Sequence, residues 1–364
     1  MNGEEAYRLV CAYAAIEGHR TGTPGDQKTL RWLGQELSRR GADVVLENFP
    51  CRHFEADVIV RHDDRLVDAM AFHDAAVGQY ELGHLAVGSI DAHAADAVLK
   101  AEIFSRVEKA RRCSHDGLVL ATRCPTGALC AINRPSGSHI DFPVVLVPGH
   151  EHAALREGMI SIAYSAVSRN SKAENLLAEF PAPAGGPTIV ITTPVSGWFS
   201  CAGERGCGIA VAIHLAELLS KQFSVHLLLA SGHELGFLGG YHLANTFRQR
   251  PGCIVHLGSC IANIGADLMA VCSAAGTTFN VIAGALAPLQ IVPVAPAHPA
   301  RADEWVGESA CWVAHERPML SIAGMAPHFH TSADVPEAAT TPELLQAALD
   351  AIGAAALELA GNCQ

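Results

Sequence analysis

The chain has 364 residues, 49% hydrophobic and 17% charged, and a formal net charge of -12 at pH 7. That length supports a large core, as one domain with an insertion or as two domains. The acidic balance, with no basic run of useful length, excludes nucleic acid or an anionic membrane surface as a natural partner and leaves small-molecule or short-peptide ligands.

The first residues, Met1-Asn2-Gly3-Glu4-Glu5, are acidic, and the N-terminal stretch after them has neither a basic n-region nor a long apolar h-region. No apolar span of about 18 residues is expected further on, so the expectation is a cytoplasmic protein. The 12 cysteines are scattered without a CxxC pair and read as free, mostly buried thiols.

Helical periodicity runs through residues 4–16 and 27–39, separated by the turn Gly22-Thr23-Pro24-Gly25, and 43–49 reads as a strand. From 51 to 181 the pattern changes to short strands at 56–60, 117–121 and 142–147 around one helical stretch at 101–112, which predicts an inserted subdomain. Residues 181–187, built of Pro, Ala and Gly, read as a linker. Beyond it, strands at 188–192, 223–230, 253–258 and 268–273 are interleaved with helices at 208–220 and 234–247, and an amphipathic helix at 342–359 closes the chain. Continuous apolar runs such as 225–230 suit strands buried on both faces. The class is therefore α/β, with a mostly parallel central sheet flanked by helices.

Candidate chemistry gathers where a strand gives way to a helix, in Ser231-Gly232-His233-Glu234-Leu235-Gly236. Open α/β sheets place ligands at such boundaries. Glu204, in Gly203-Glu204-Arg205-Gly206, and His330, in Pro327-His328-Phe329-His330-Thr331, occupy comparable loops. Carboxylates and imidazoles suit zinc, which in catalytic sites takes about three protein ligands and keeps a position open for water. The same residues have plainer readings: Glu234 as a helix-cap carboxylate, Glu204-Arg205 as a surface ion pair, Cys201 and Cys207 as inert buried thiols. Glu308 is a further acid or base candidate, and Trp198 and Trp305 are aromatics that can line a pocket.

These segments resemble the zinc aminopeptidase family that includes glutamate carboxypeptidases, glutaminyl cyclases and the transferrin receptor ectodomain. Gly203 to Ala210 is similar to its Asp-Asn-Ala-Ser-Gly-Val-Ala segment, His233-Glu234-Leu235-Gly236 to its Glu-Glu-Leu-Gly motif, and His330-Thr331-Ser332-Ala333-Asp334 to its His-Thr-x-x-Asp. The resemblance implies an aminopeptidase-like domain from 1–50 and 182–364 and a β-rich, protease-associated-type lobe from 51–181. It also implies Glu204, Glu234 and His330 (or His328) as ligands of one zinc ion per chain. The second ion's ligands are missing, because Thr193-Pro194-Val195 stands where the family has His-x-Asp and Gly258 where it has Asp. His256, two residues before Gly258, is a possible alternative ligand.

His233 replaces the family's general-base Glu, and an imidazole with an unperturbed pKa of ~6.5 can take that role. Arg205, if it faces the crevice, can pair with a substrate carboxylate, and Trp198 can line the pocket. The leading expectation is a metal-dependent hydrolase that cleaves an amide or peptide-like bond of a small substrate with a single zinc. Two alternatives stay open: a glutaminyl-cyclase-type aminoacyltransferase, and a non-catalytic pseudo-peptidase used for binding or scaffolding. The sequence does not fix the oligomeric state.

Overall fold

The computed structural model describes residues 1–133, 140–181 and 186–363. The centre of the expected linker, 182–185, lies outside the described residues. The chain divides into two compact units: Met1–Pro50 with Lys172–Phe329 and Asp334–Gln364, and Cys51–Ser171 with His330–Ala333.

The first unit is built on a sheet ordered Pro293–Val294, Asp267–Cys272, Met319–Met325, Cys253–Leu257, Thr188–Pro194, Ser224–Ala230, then residues 172–180 of strand Ile160–Phe180 and 43–50 of strand Asp43–His62. Its middle is parallel, with Cys253–Leu257 between Met319–Met325 and Thr188–Pro194, and Ser224–Ala230 beyond. Towards both flanks the pairing turns antiparallel, at Asp267–Cys272 on Met319–Met325 and at Ile160–Phe180 on Ser224–Ala230. The sheet is thus parallel at its centre and flanked by helices, as expected, with antiparallel pairings towards its flanks.

Alternation along the central strands sends side chains into two cores. Ile189 and Ile191 join a large cluster with the helices Gly3–Ala14, Cys207–Leu219 and Pro342–Gly361, whereas Val190 joins Leu243, Ile254 and Trp312 on the opposite face. Burial on both faces is why these strands are continuously apolar. Helix starts follow ordinary capping chemistry: Asn2, Thr23 and Thr341 accept hydrogen bonds from the amides of Glu5, Asp26 and Leu344. The closing helix Pro342–Gly361 departs from the expectation of no long apolar span, since its length and hydropathy are enough to cross a membrane. However, 56% of that span is buried, with Leu345, Leu349, Ile352 and Leu359 in the main core.

In the second unit, Met70–Ala71, Val144–Pro148, Gly117–Arg123 and Leu85–Asp91 form a four-stranded sheet, parallel over its last three strands, with helix Asp96–Arg112 preceding Gly117–Arg123. Residues 162–166 pair antiparallel with Gly78–Leu82, and 60–62 with Arg65–Val67. Val119, Ala121, Val145, Val147 and Tyr164 make its core.

Strand order reverses about Thr188–Pro194: the next strand, Ser224–Ala230, pairs on one side of it and Cys253–Leu257 on the other. That reversal is a topological switch point, and the loops leaving these strands at their C-terminal ends carry the candidate residues.

Candidate functional site

Two loops meet at the switch point, and Ser196 ties them together. Its hydroxyl accepts from the amides of Gly232 (3.0 Å) and His233 (3.2 Å) and donates to Glu234 Oε2 (2.8 Å). The other oxygen of Glu234 accepts from the Thr21 amide at 2.6 Å, so both oxygens of this buried carboxylate have protein donors. Gly232 lies at φ 91° and also donates to Thr21 Oγ1 at 2.7 Å; a side chain there would be strained. Ser231 donates to Asp26, whose carboxyl burial pushes up to about 7. The expected helix from 234 begins later. A short turn, His233–Leu235, comes first, and the helix runs Leu238–Thr246.

His233 Nδ1 lies 2.9 Å from Glu308 Oε1. The imidazole is part-exposed, with its ring 5.1 Å from that of Phe237, whereas Glu308 is fully buried. Burial pushes the Glu308 carboxyl up to about 8; the Arg205 charge pulls against that and Glu234 adds to it. Two residues named separately from sequence as acid or base candidates are therefore in contact.

Glu204 and Arg205 sit on a π-helical turn, Ala202–Gly206, that comes after Cys201 in the left-handed region. Asp334 caps this turn, its two oxygens accepting from the amides of Gly203 (2.8 Å) and Glu204 (3.0 Å). Both side chains are enclosed. Arg205 Nη2 lies 2.7 Å from Glu204 Oε1, with side-chain exposures of 0% and 1%, and Arg205 Nε donates to the Ser196 carbonyl at 3.0 Å. The pair is thus not on the surface. Nor does Arg205 face solvent as a substrate anchor would.

His256 is fully buried, its pKa lowered to about 3 by burial and then by the Arg205 charge, so it stays neutral. Trp198 is also buried, with the Arg20 guanidinium 5.6 Å from its ring centroid. His330 falls in the segment grouped with the second unit, where its carbonyl accepts from the Ala131 amide. Sequence reasoning missed Ser196, Thr21 and Asp26. The only signal for them was the Gly22-Thr23-Pro24-Gly25 turn, in which Thr23 caps the helix that carries Asp26.

No protein-family model and no curated protein matches the chain. Solved structures do. A zinc aminopeptidase from Bacillus subtilis superposes with a TM-score of 0.75 over 98% of this chain and 95% of its own, at 14% identity. The fold is that of a zinc aminopeptidase. An aminopeptidase from Aneurinibacillus sp. strain AM-1 is similar too, with a TM-score of 0.65, 16% identity and coverage of 99% and 94%. A glutaminyl cyclase from Porphyromonas gingivalis has a TM-score of 0.52, with 11% identity and coverage of 99% and 98%.

The aminopeptidase fold implies zinc, and the donors of this site do not fit one. Glu204 is paired with a guanidinium at 2.7 Å, and both oxygens of Glu234 already accept a hydrogen bond. At Gly258, the position of the missing second ion's ligand, a Cβ would fall 2.6 Å from that of Ala323, so packing leaves that position closed. Cys201, Glu204 and Asp334 do bring possible ligand atoms within 4.8 Å of one another, but Asp334 is engaged by two amides. A divalent ion placed about 4 Å from a guanidinium is opposed by roughly 8 kcal/mol even at an effective dielectric of about 20.

Proposed function

We propose that this protein acts on an amide or peptide-like bond of a small substrate, by hydrolysis or by internal aminoacyl transfer, with His233 as the group that moves protons and Glu308 as the carboxyl that positions its imidazole. The 2.9 Å contact between His233 Nδ1 and Glu308 Oε1 carries this reading. The pair holds one proton between carboxyl and imidazole, and its titration belongs to the pair. When that proton rests on Nδ1, Nε2 is a base that accepts a proton from the attacking water or amine. Glu308 then balances the imidazolium charge, and the imidazolium returns a proton to the departing amine. The Gly232 and His233 amides, bound to Ser196, hold the imidazole's backbone in place. No step passes through a metal.

One observation favours a second reading, a non-catalytic pseudo-peptidase that binds peptide-like ligands: Glu204, expected as a ligand, is bound to Arg205. Assays of wild type and His233→Ala on aminoacyl amides and N-terminal glutaminyl peptides separate the two. Turnover that falls roughly 10²- to 10⁴-fold in the variant supports proton transfer by His233. Binding of these peptides with no turnover by wild type supports the second reading instead.

A further inference from the structure

We propose that the Arg205 guanidinium is the resident cation of this site, taking the place in its charge balance that a metal ion would otherwise fill, so that the protein folds and works without a metal. The inference goes beyond the proposed reaction and holds under either reading of it.

The guanidinium is enclosed, and an enclosed charge persists only when paired. Its partner is the carboxylate expected to bind metal, and its Nε is anchored on the Ser196 carbonyl, the loop residue that also holds Glu234.

The surroundings are built for it. At Gly197 a Cβ would lie 2.4 Å from Cys201 Sγ and in ordinary contact, 3.5 Å, with Arg205 Cγ, so the loop packs directly on the arginine stem and the cysteine before the turn. Arginine stays charged in any protein environment, unlike lysine, and its planar fork pairs with a carboxylate in a dry site. Function as a substrate-carboxylate anchor is ruled out by its enclosure.

The test uses the whole 364-residue chain, with metal content measured by plasma mass spectrometry and melting temperature measured with EDTA, with added zinc ion alone, and with neither. Wild type is expected to carry no stoichiometric metal and to melt at the same temperature in all three. Arg205→Met, which removes the guanidinium beside the buried Glu204 carboxylate, is expected to fail to fold or to melt lower and regain stability when zinc is added. The double variant Glu204→Gln/Arg205→Met removes both charges and is expected to fold without zinc and melt above the single variant. A retained equivalent of zinc whose removal lowers the wild-type melting temperature would overturn the proposal. So would an Arg205→Met protein as stable as wild type and indifferent to zinc, or a double variant no more stable than the single. None of these readouts uses turnover, so failure of the proposed reaction leaves them standing.

Discussion

Glu308 and His233 meet at 2.9 Å across 75 positions of sequence. Glu308 touches the imidazole rather than a substrate, which makes it a positioning residue. A Gln in its place would donate its amide to Nδ1 and leave the proton on Nε2, the wrong tautomer for a base. Glu308→Gln is therefore expected to lower kcat by roughly 10²- to 10⁴-fold with little change in KM, about as much as His233→Ala. Glu308→Asp should fall between. A Gln variant with wild-type kcat would remove Glu308 from the account.

Ser196 serves three partners with one hydroxyl: two amides donate to it, and it donates to Glu234. Ser196→Ala leaves part of a buried carboxylate unsatisfied, a loss of about 1–3 kcal/mol. Urea unfolding should show a lower midpoint at an unchanged slope. A variant as stable as wild type would mean that the network holds nothing.

The Glu204–Arg205 pair carries a stability prediction as well. Removing one partner of a buried ion pair costs about 3–5 kcal/mol, whereas replacing both is far milder. In chemical denaturation, Glu204→Gln and Arg205→Met should each be strongly destabilising and their double variant much less so than the sum. Additive losses would show that the two side chains are not coupled.

Between about pH 4 and 6.5 two buried groups pull the stability in opposite directions. Asp26 has a folded pKa of about 7 against 3.8 for the free group, so the native state binds more protons between these values and stability is lost as pH rises through that window. His19, lowered from 6.5 to about 4 by burial, acts oppositely: the unfolded state binds more protons there, and stability is lost as pH falls from 6.5 towards 4. Asp26→Asn keeps a partner for Ser231 and removes the first effect. Its stability relative to wild type should rise steadily between pH 4 and 7, and a pH-independent difference would contradict this.

The sheet's central strands were legible because burial on both faces forces continuous apolar runs, as in 225–230. Met319–Met325 was not, since a short apolar run between Pro318 and Pro327 has no period that separates strand from loop or helix. The long strands Asp43–His62 and Ile160–Phe180 were read only in fragments or not at all, because half-exposed residues break their apolar pattern. At the site, neighbours in sequence were visible and partners in space were not. Glu204-Arg205 reads as a surface pair from its charges alone; the π turn after Cys201 and its Asp334 cap enclose it. Glu308 could be named, but its pairing with His233 depends on a fold that brings residue 308 to the end of Ser224–Ala230.

The most direct measurement is kcat/KM on aminoacyl amide and N-terminal glutaminyl substrates, for wild type and His233→Ala, with and without a chelator. The account predicts wild-type turnover that is unchanged by EDTA and that drops roughly 10²- to 10⁴-fold in the variant. Turnover abolished by EDTA and restored by zinc, or retained by His233→Ala, would contradict it.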